Sequence, residues 1–246
     1  MPSNFFKLGS SLALERFSAV IEGDCKVLLT PSALKKIAAA RRVLDEAMAS
    51  GKPVYGVNTG FGELASVRIS SERLAQVQRN LVLSHACGVG EPLTPAEARG
   101  ILFLRINELS RGHSGVRPAL VRHLARMLAA GIIPLIPSRG SVGASGDLAP
   151  QAHMALAVIG EGDVLYRGRR MPAAKALKAA GLAPFVLAEK EGLALLNGTQ
   201  AMQSVGGFAL LAAERVWRAA NLASATSLDA LTGTPAPYDE ALSRLK

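Results

Sequence analysis

Residues 29–51 read LTPSALKKIAAARRVLDEAMASG, and this punctuation recurs along the chain. Thr30 offers a side-chain oxygen to a helix N-terminus, Pro31 pre-sets φ at the first helical position, and Gly51 stops the run. Between them Leu34, Ile37, Ala38, Leu44, Ala47 and Met48 fall on one face at helical spacing. SSERLAQVQRNLVLSHACG predicts a second helix from Ser70 or Ser71 to near Gly88. LTPAEARGILFLRINELSRG opens on a capping box, Thr94 with Glu97 three residues on. VRPALVRHLARMLAAG ends at Gly131, and DLAPQAHMALAVIGEG and PAAKALKAAG are shorter helices. From about Leu187 to Leu231 helix formers are nearly continuous, with breaks predicted at 197–199 (NGT) and 206–207 (GG). GDVLYRGRRM at 162–171 reads as a small hairpin and IIPLIP at 132–137 as a weaker strand. TPAPYDEALSRLK starts one more helix-like segment. No βαβ alternation is visible, which argues against a doubly wound sheet and for a mainly α fold.

A chain of 246 residues, 49% apolar, can bury a sizeable core. Its net charge of +9 raises nucleic-acid binding as a possibility, but the cations are scattered and aromatics make up 4%, too few for a base-stacking platform. Two cysteines, Cys25 and Cys87, form no CxxC pair, and the four histidines lack HExxH spacing, so no metal is expected. The longest apolar stretch, MLAAGIIPLIP, is too short to span a bilayer, and no leader pattern opens the chain. The expectation is a soluble cytoplasmic protein that binds neither nucleic acid nor membrane.

Residues 139–153, RGSVGASGDLAPQAH, concentrate backbone freedom. Gly140, Gly143 and Gly146 are spaced by three, where glycine costs about 0.5–1 kcal/mol relative to alanine in regular structure. A phosphate loop needs GxxxxGK[ST] or GxGxxG; this segment has neither, and Asp147 would repel phosphate. A plain turn is one reading. Another is backbone chemistry. In a tight bend the unhindered Gly146 nitrogen can attack the Ala144 carbonyl carbon. Loss of one water closes a five-membered ring, and loss of a second from Ser145 leaves an exocyclic methylidene, an electrophile. Asp147 before Leu-Ala-Pro fits a helix start whose dipole points toward that ring.

Three further positions stay open on local grounds. Tyr55, in VYGVNTGFGELAS, sits either on a surface loop or on a lid that presents a phenol to a site. His85 lies on the stripe of Leu74, Val77, Gln78 and Leu81, one turn from the helix end. It is either a satisfied core residue or the edge of a cleft. Asn197 is either a turn residue or a polar amide lining a pocket.

Taken together, YGVNTGFGELAS (55–66), NLVLSHACGVGEPL (80–93), GSVGASGDLAPQAHMALAVIGEG (140–162) and EGLALLNGTQA (191–201) resemble the aromatic amino-acid ammonia-lyase family, in family order, from about residue 12 onward. Within it the likeness is to the branch acting on histidine. The resemblance implies a 4-methylidene-imidazol-5-one group (MIO) built autocatalytically from Ala144, Ser145 and Gly146, with Asp147 adjoining. It implies a helical fold with a small β-hairpin, and a homotetramer. By the same resemblance Tyr55 is the catalytic base, Asn197 lies beside the prosthetic group and substrate, and Ser84-His85 reads the substrate ring. Ser-His at that pair is the histidine type; tyrosine-directed relatives show His-Leu and phenylalanine-directed ones Phe-Leu.

The implied reaction is elimination of ammonia from L-histidine to give trans-urocanate, by an electrophile paired with a general base. Family members are roughly twice as long, so residues 1–246 correspond to the N-terminal part of the family fold. Outside it fall a carboxylate-binding arginine, a second tyrosine and the long helices of the tetramer core. Two alternatives accompany this reading: a lyase or aminomutase of the same family acting on tyrosine or phenylalanine, and a catalytically silent helical interaction domain.

Overall fold

The computed structural model describes residues 5–23, 25–51, 54, 56–59, 71–143 and 145–244. Strand β1 (Phe5–Lys7), helix α1 (Leu14–Glu22) and strand β2 (Lys26–Leu28) come first, and β2 pairs parallel to β1. This small β-α-β crossing was not visible as a pattern. Helix α1 has Ala13 at its N-cap with no side-chain bond, although Gly23 ends it in the left-handed region at φ 94°. No doubly wound sheet follows: the strands of the described residues form three separate sheets of two or three strands.

Helix α2 (Pro31–Ala49) starts as the sequence predicts, with Thr30 Oγ1 accepting the Ala33 N–H at 3.1 Å. Its buried face is Ala33, Ile37 and Leu44, with Leu34, Ala38, Ala47 and Met48 half-buried beside them. Helix α3 (Ser71–His85) leads into β3 (Val89–Pro92). Helix α4 (Pro95–Leu109) opens on the complete capping box: Glu97 N–H donates to Thr94 Oγ1, and Thr94 N–H donates to Glu97 Oε2 at 2.8 Å. Helix α5 (Pro118–Ala129) follows, then β4 (Ile133–Pro134) and β5 (Pro137–Arg139). The IIPLIP segment is therefore divided between two sheets. Its first part joins the hairpin sheet, and β5 pairs antiparallel with β3.

After α6 (Leu148–Val158) comes the predicted hairpin, β6 (Asp163–Tyr166) and β7 (Arg169–Pro172). Its two-residue turn places Arg167 and Gly168 at φ 51° and 73°, matching strand twist. The remaining elements are α7 (Ala173–Ala179), α8 (Glu191–Leu196), α9 (Gln200–Ala230), a 3-10 turn (Ala236–Tyr238) and α10 (Glu240–Ser243). The break at 197–199 is present. The break expected at Gly206-Gly207 is not: α9 runs through both glycines, and neither takes positive φ. Each glycine costs about 1 kcal/mol in a helix, which the strong helix formers that follow, ALLAAER, offset.

The chain divides into two compact units, Met1–Val205 and Gly206–Lys246. In the first, α4 is the central helix. Ala98, Ile101, Leu102, Phe103, Ile106 and Leu109 are all buried, so it is apolar nearly all round. It packs against α1, α5, α6 and β4, with Phe6 edge-on to Phe103 at 5.5 Å between ring centroids. Helix α6 packs on α3 and α8, which also touch each other. The second unit holds the rest of α9, the 3-10 turn and α10, with Leu210, Val216, Trp217 and Leu222 exposed. No helix of the described residues is long and apolar enough to cross a membrane.

Candidate active site

The α3, α6 and α8 triad sets the geometry. Gln78 on α3 is buried, and its Oε1 accepts the N–H groups of Gly192 (2.9 Å) and Leu193 (3.4 Å). A helix begins with unpaired N–H donors, and here a side chain from a neighbouring helix satisfies two of them. Gln78 lies seven residues before His85, and Gly192 five residues before Asn197. The pinned helices α3 and α8 therefore run toward the same end, where the start of α6 meets them.

At that end two glycine backbones touch. A Cβ on Gly146 (φ 105°) would lie 2.6 Å from the Gly198 carbonyl oxygen, so only glycine fits. The same carbonyl accepts the Asp147 N–H at 2.7 Å. Ser145, exposed, donates from Oγ to Asn197 Oδ1 at 3.1 Å. Asn197 is the C-cap of α8, in extended conformation, which turns its amide out of the helix toward Ser145. Ala144 and Tyr55 lie outside the described residues. Nearby, Asn58 Oδ1 accepts the Val54 N–H at 2.7 Å, and Val57 and Thr59 are buried.

Asp147 does precede a helix, as the sequence predicts, but its carboxylate does not cap α6. Oδ1 accepts from Ser141 Oγ and Oδ2 accepts from the Met202 N–H, each at 2.8 Å. Met202 is in the first turn of α9. The buried carboxylate thus serves the opening of a different helix, where negative charge is favoured. An open cleft of about 420 Å³ borders this side of the bend, lined by Leu93, Ser141, Val142, Asp147 and Met202 among others.

Ser84 and His85 join the site indirectly. His85 Nδ1 lies 2.9 Å from the Leu81 carbonyl oxygen, and Ser84 Oγ donates to the same carbonyl at 3.1 Å. A carbonyl only accepts, so Nδ1 carries the hydrogen, and in a neutral ring Nε2 is the acceptor. Three residues on, the Gly88 N–H donates to His153 Nε2 on α6 at 3.1 Å. Burial holds His153 below its ordinary pKa, in keeping with a neutral ring that accepts.

Sequence reasoning missed the polar floor under the bend. Arg105 of α4, Gln151 of α6 and Gln200 of α9 are buried. Gln151 Nε2 donates to Gln200 Oε1 at 2.7 Å, and a Cβ on Gly198 would lie 2.5 Å from Arg105 Nη2. The available signal was a cation inside FLRIN, among the buried Ile101, Leu102, Phe103 and Ile106 of the same helix. Among the described residues no group of three or more His, Cys, Asp or Glu is placed to hold a metal.

The sequence matches the family described as "Aromatic amino acid lyase" over residues 12–246. The chain belongs to that family. It is 51% identical over 230 residues to a histidine ammonia-lyase of Stigmatella aurantiaca, covering 94% of this chain and 45% of that one. Among solved structures it is similar to histidine ammonia-lyase from Trypanosoma cruzi (TM-score 0.90, 38% identity, 98% of this chain and 47% of that one). It is also similar to a Pantoea agglomerans phenylalanine aminomutase (TM-score 0.91, 30% identity, 98% and 47%). The chain spans about half the length of the curated relatives it matches. The helical architecture is that of these family members.

Proposed function

We propose that this chain carries the prosthetic-group segment and part of the substrate pocket of a histidine ammonia-lyase, which eliminates ammonia from L-histidine to give trans-urocanate. The observation that carries the reading is the contact of Gly146 with Gly198 beside the Ser145–Asn197 bond. A bend too close for any Cβ is what a Gly146 nitrogen needs to reach the Ala144 carbonyl, and Ser145 faces outward with its hydroxyl held. The residues present thus fit a methylidene-imidazolone formed from 144–146. That group supplies an electrophilic carbon that makes the substrate amine a better leaving group. Asn197 orients at Ser145, and Asp147 pins the bend through Ser141 and Met202. His85, with Nδ1 engaged by Leu81, offers Nε2 as acceptor to an imidazole N–H. Tyr55 is assigned the β-proton. Exposed Leu210, Val216, Trp217 and Leu222 favour self-association, in line with the homotetramer in this reading.

Intact mass of the purified chain tests the central step. The expected result is loss of two waters within the peptide holding residues 144–146. An unmodified peptide overturns the reading and leaves the silent helical domain. The tyrosine- or phenylalanine-directed alternative is separated by a substrate panel. Ser84-His85 favours histidine, and His85→Leu is expected to shift preference away from it. Unchanged preference refutes the ring contact.

A further inference from the structure

Arg105 is a costly residue where it stands. Its side chain is 2% exposed in the middle of α4, and burial lowers its pKa to about 10 against the pull of Glu108 and Asp147. Nη1 reaches Glu108 Oε2 at 3.2 Å, while Nε and Nη2 have no acceptor among the described residues. An apolar side chain of similar volume at such a position is often as stable or more so. The glutamate would not be stranded by that change, because it is 39% exposed and keeps its water. Stability alone therefore does not account for the cation. Its position offers another reason: a Cβ on Gly198 would collide with Arg105 Nη2 at 2.5 Å and Cζ at 3.1 Å, as well as with Gln200 Oε1, so the guanidinium lies against the turn where only glycine fits. The Gly198 backbone in turn lies so close to Gly146 that a Cβ there would be 2.6 Å from its carbonyl oxygen.

We propose that Arg105 is a positioning residue for backbone cyclisation at residues 144–146, its buried guanidinium seating the Asn197–Gly198 turn against Gly146. This rests on the cyclisation reading above. In that chemistry the Gly146 nitrogen bonds the Ala144 carbonyl carbon, and its proton passes to the carbonyl oxygen. The hydroxyl so formed leaves as water with the Ser145 amide proton. The second water takes the Ser145 hydroxyl and the Ser145 Cα proton. No oxidant is involved, so the rate depends on how well nitrogen and carbonyl are held together. A misplacement of the order of 1 Å costs about 100-fold in such a reaction. Arg105 acts through Gly198, whose carbonyl holds the Asp147 N–H, and through Asn197, which holds Ser145.

The test follows freshly translated full chain by mass, sampling the 144–146 peptide over time, with helix content and melting measured in parallel. Arg105→Met is expected to fold with a melting temperature near the parent's yet lose the two waters about 100-fold more slowly. Phe103→Leu, which loosens the same helix away from the bend, is expected to modify at the parent rate. If Arg105→Met does not fold, Arg105→Lys reads the same question, since an ammonium lacks the planar fork that abuts Gly198. Modification of a folded Arg105 variant at the parent rate, or equal slowing in Phe103→Leu, overturns the inference alone. A parent chain that never loses water overturns the cyclisation reading and this inference with it.

Discussion

Replacing Asp147 separates what its carboxylate does from what its backbone does. The side chain accepts two hydrogen bonds, from Ser141 Oγ and the Met202 N–H, both at 2.8 Å, and is buried. Bonds to a charged group contribute about 1.5–3 kcal/mol each. The Ser141 hydroxyl is exposed and regains water, so its share lies at the low end. The Met202 N–H is in the opening turn of α9 and is left without an acceptor. Asp147→Ala is therefore expected to cost about 3 kcal/mol, a large part of the 5–15 kcal/mol that holds a typical domain. Asp147→Asn keeps the shape. Its oxygen can accept from Met202 and its amide can donate to Ser141, whose hydroxyl turns to accept. The loss is then the charge alone, about 1 kcal/mol. Urea unfolding followed by circular dichroism measures both. Equal costs for the two variants, or less than about 1 kcal/mol for alanine, would refute the capping role.

Gln78→Ala strands the Gly192 and Leu193 N–H groups and is expected to cost about 2–3 kcal/mol in the same assay. Thr94→Ala removes half of a complete capping box and should cost about 1 kcal/mol. His123 gives a pH signature. Burial, with Arg126 adding repulsion, holds its pKa down to about 4. The unfolded imidazole takes its proton near pH 6.5 while the folded one stays neutral. Its contribution is whole above about pH 6.5 and is lost as pH falls toward about 4, by at most about 3 kcal/mol. His123→Leu should flatten the pH dependence of melting in that window, and an unchanged slope would count against it.

The helix starts were legible because their signals are local. Thr30, Pro31, Thr94 and Glu97 act within one turn of themselves, so spacing alone reveals them. Helix α1 escaped because Ala13 caps nothing, although Gly23 marked its end. Gly206-Gly207 misled in the other direction: a helix long enough on both sides absorbs two poor formers. At the site, the glycines of 140–146 announced a bend and 197–199 a break in the helix, but not that these two backbones meet. Asp147 looked like the cap of its own helix and serves another, a choice made by tertiary packing. The floor of Arg105, Gln151 and Gln200 spans 95 positions of chain and has no periodicity to read. It becomes visible once α4, α6 and α9 are brought together.

The order of synthesis gives the Gly146–Gly198 contact a timing. Residues 145–147 leave the ribosome before Asn197, Gly198 and Met202, the later groups that close on them. At the usual 5–20 residues per second, the Met202 N–H that Asp147 holds is made roughly 3–11 s later. Until then Gly146 lacks the Gly198 backbone that crowds it, and the proposed cyclisation lacks its clamp. On the cyclisation proposed above, a nascent chain arrested before Gly198 carries the serine but not the backbone that closes on Gly146, so ring formation waits for the chain beyond Gly198.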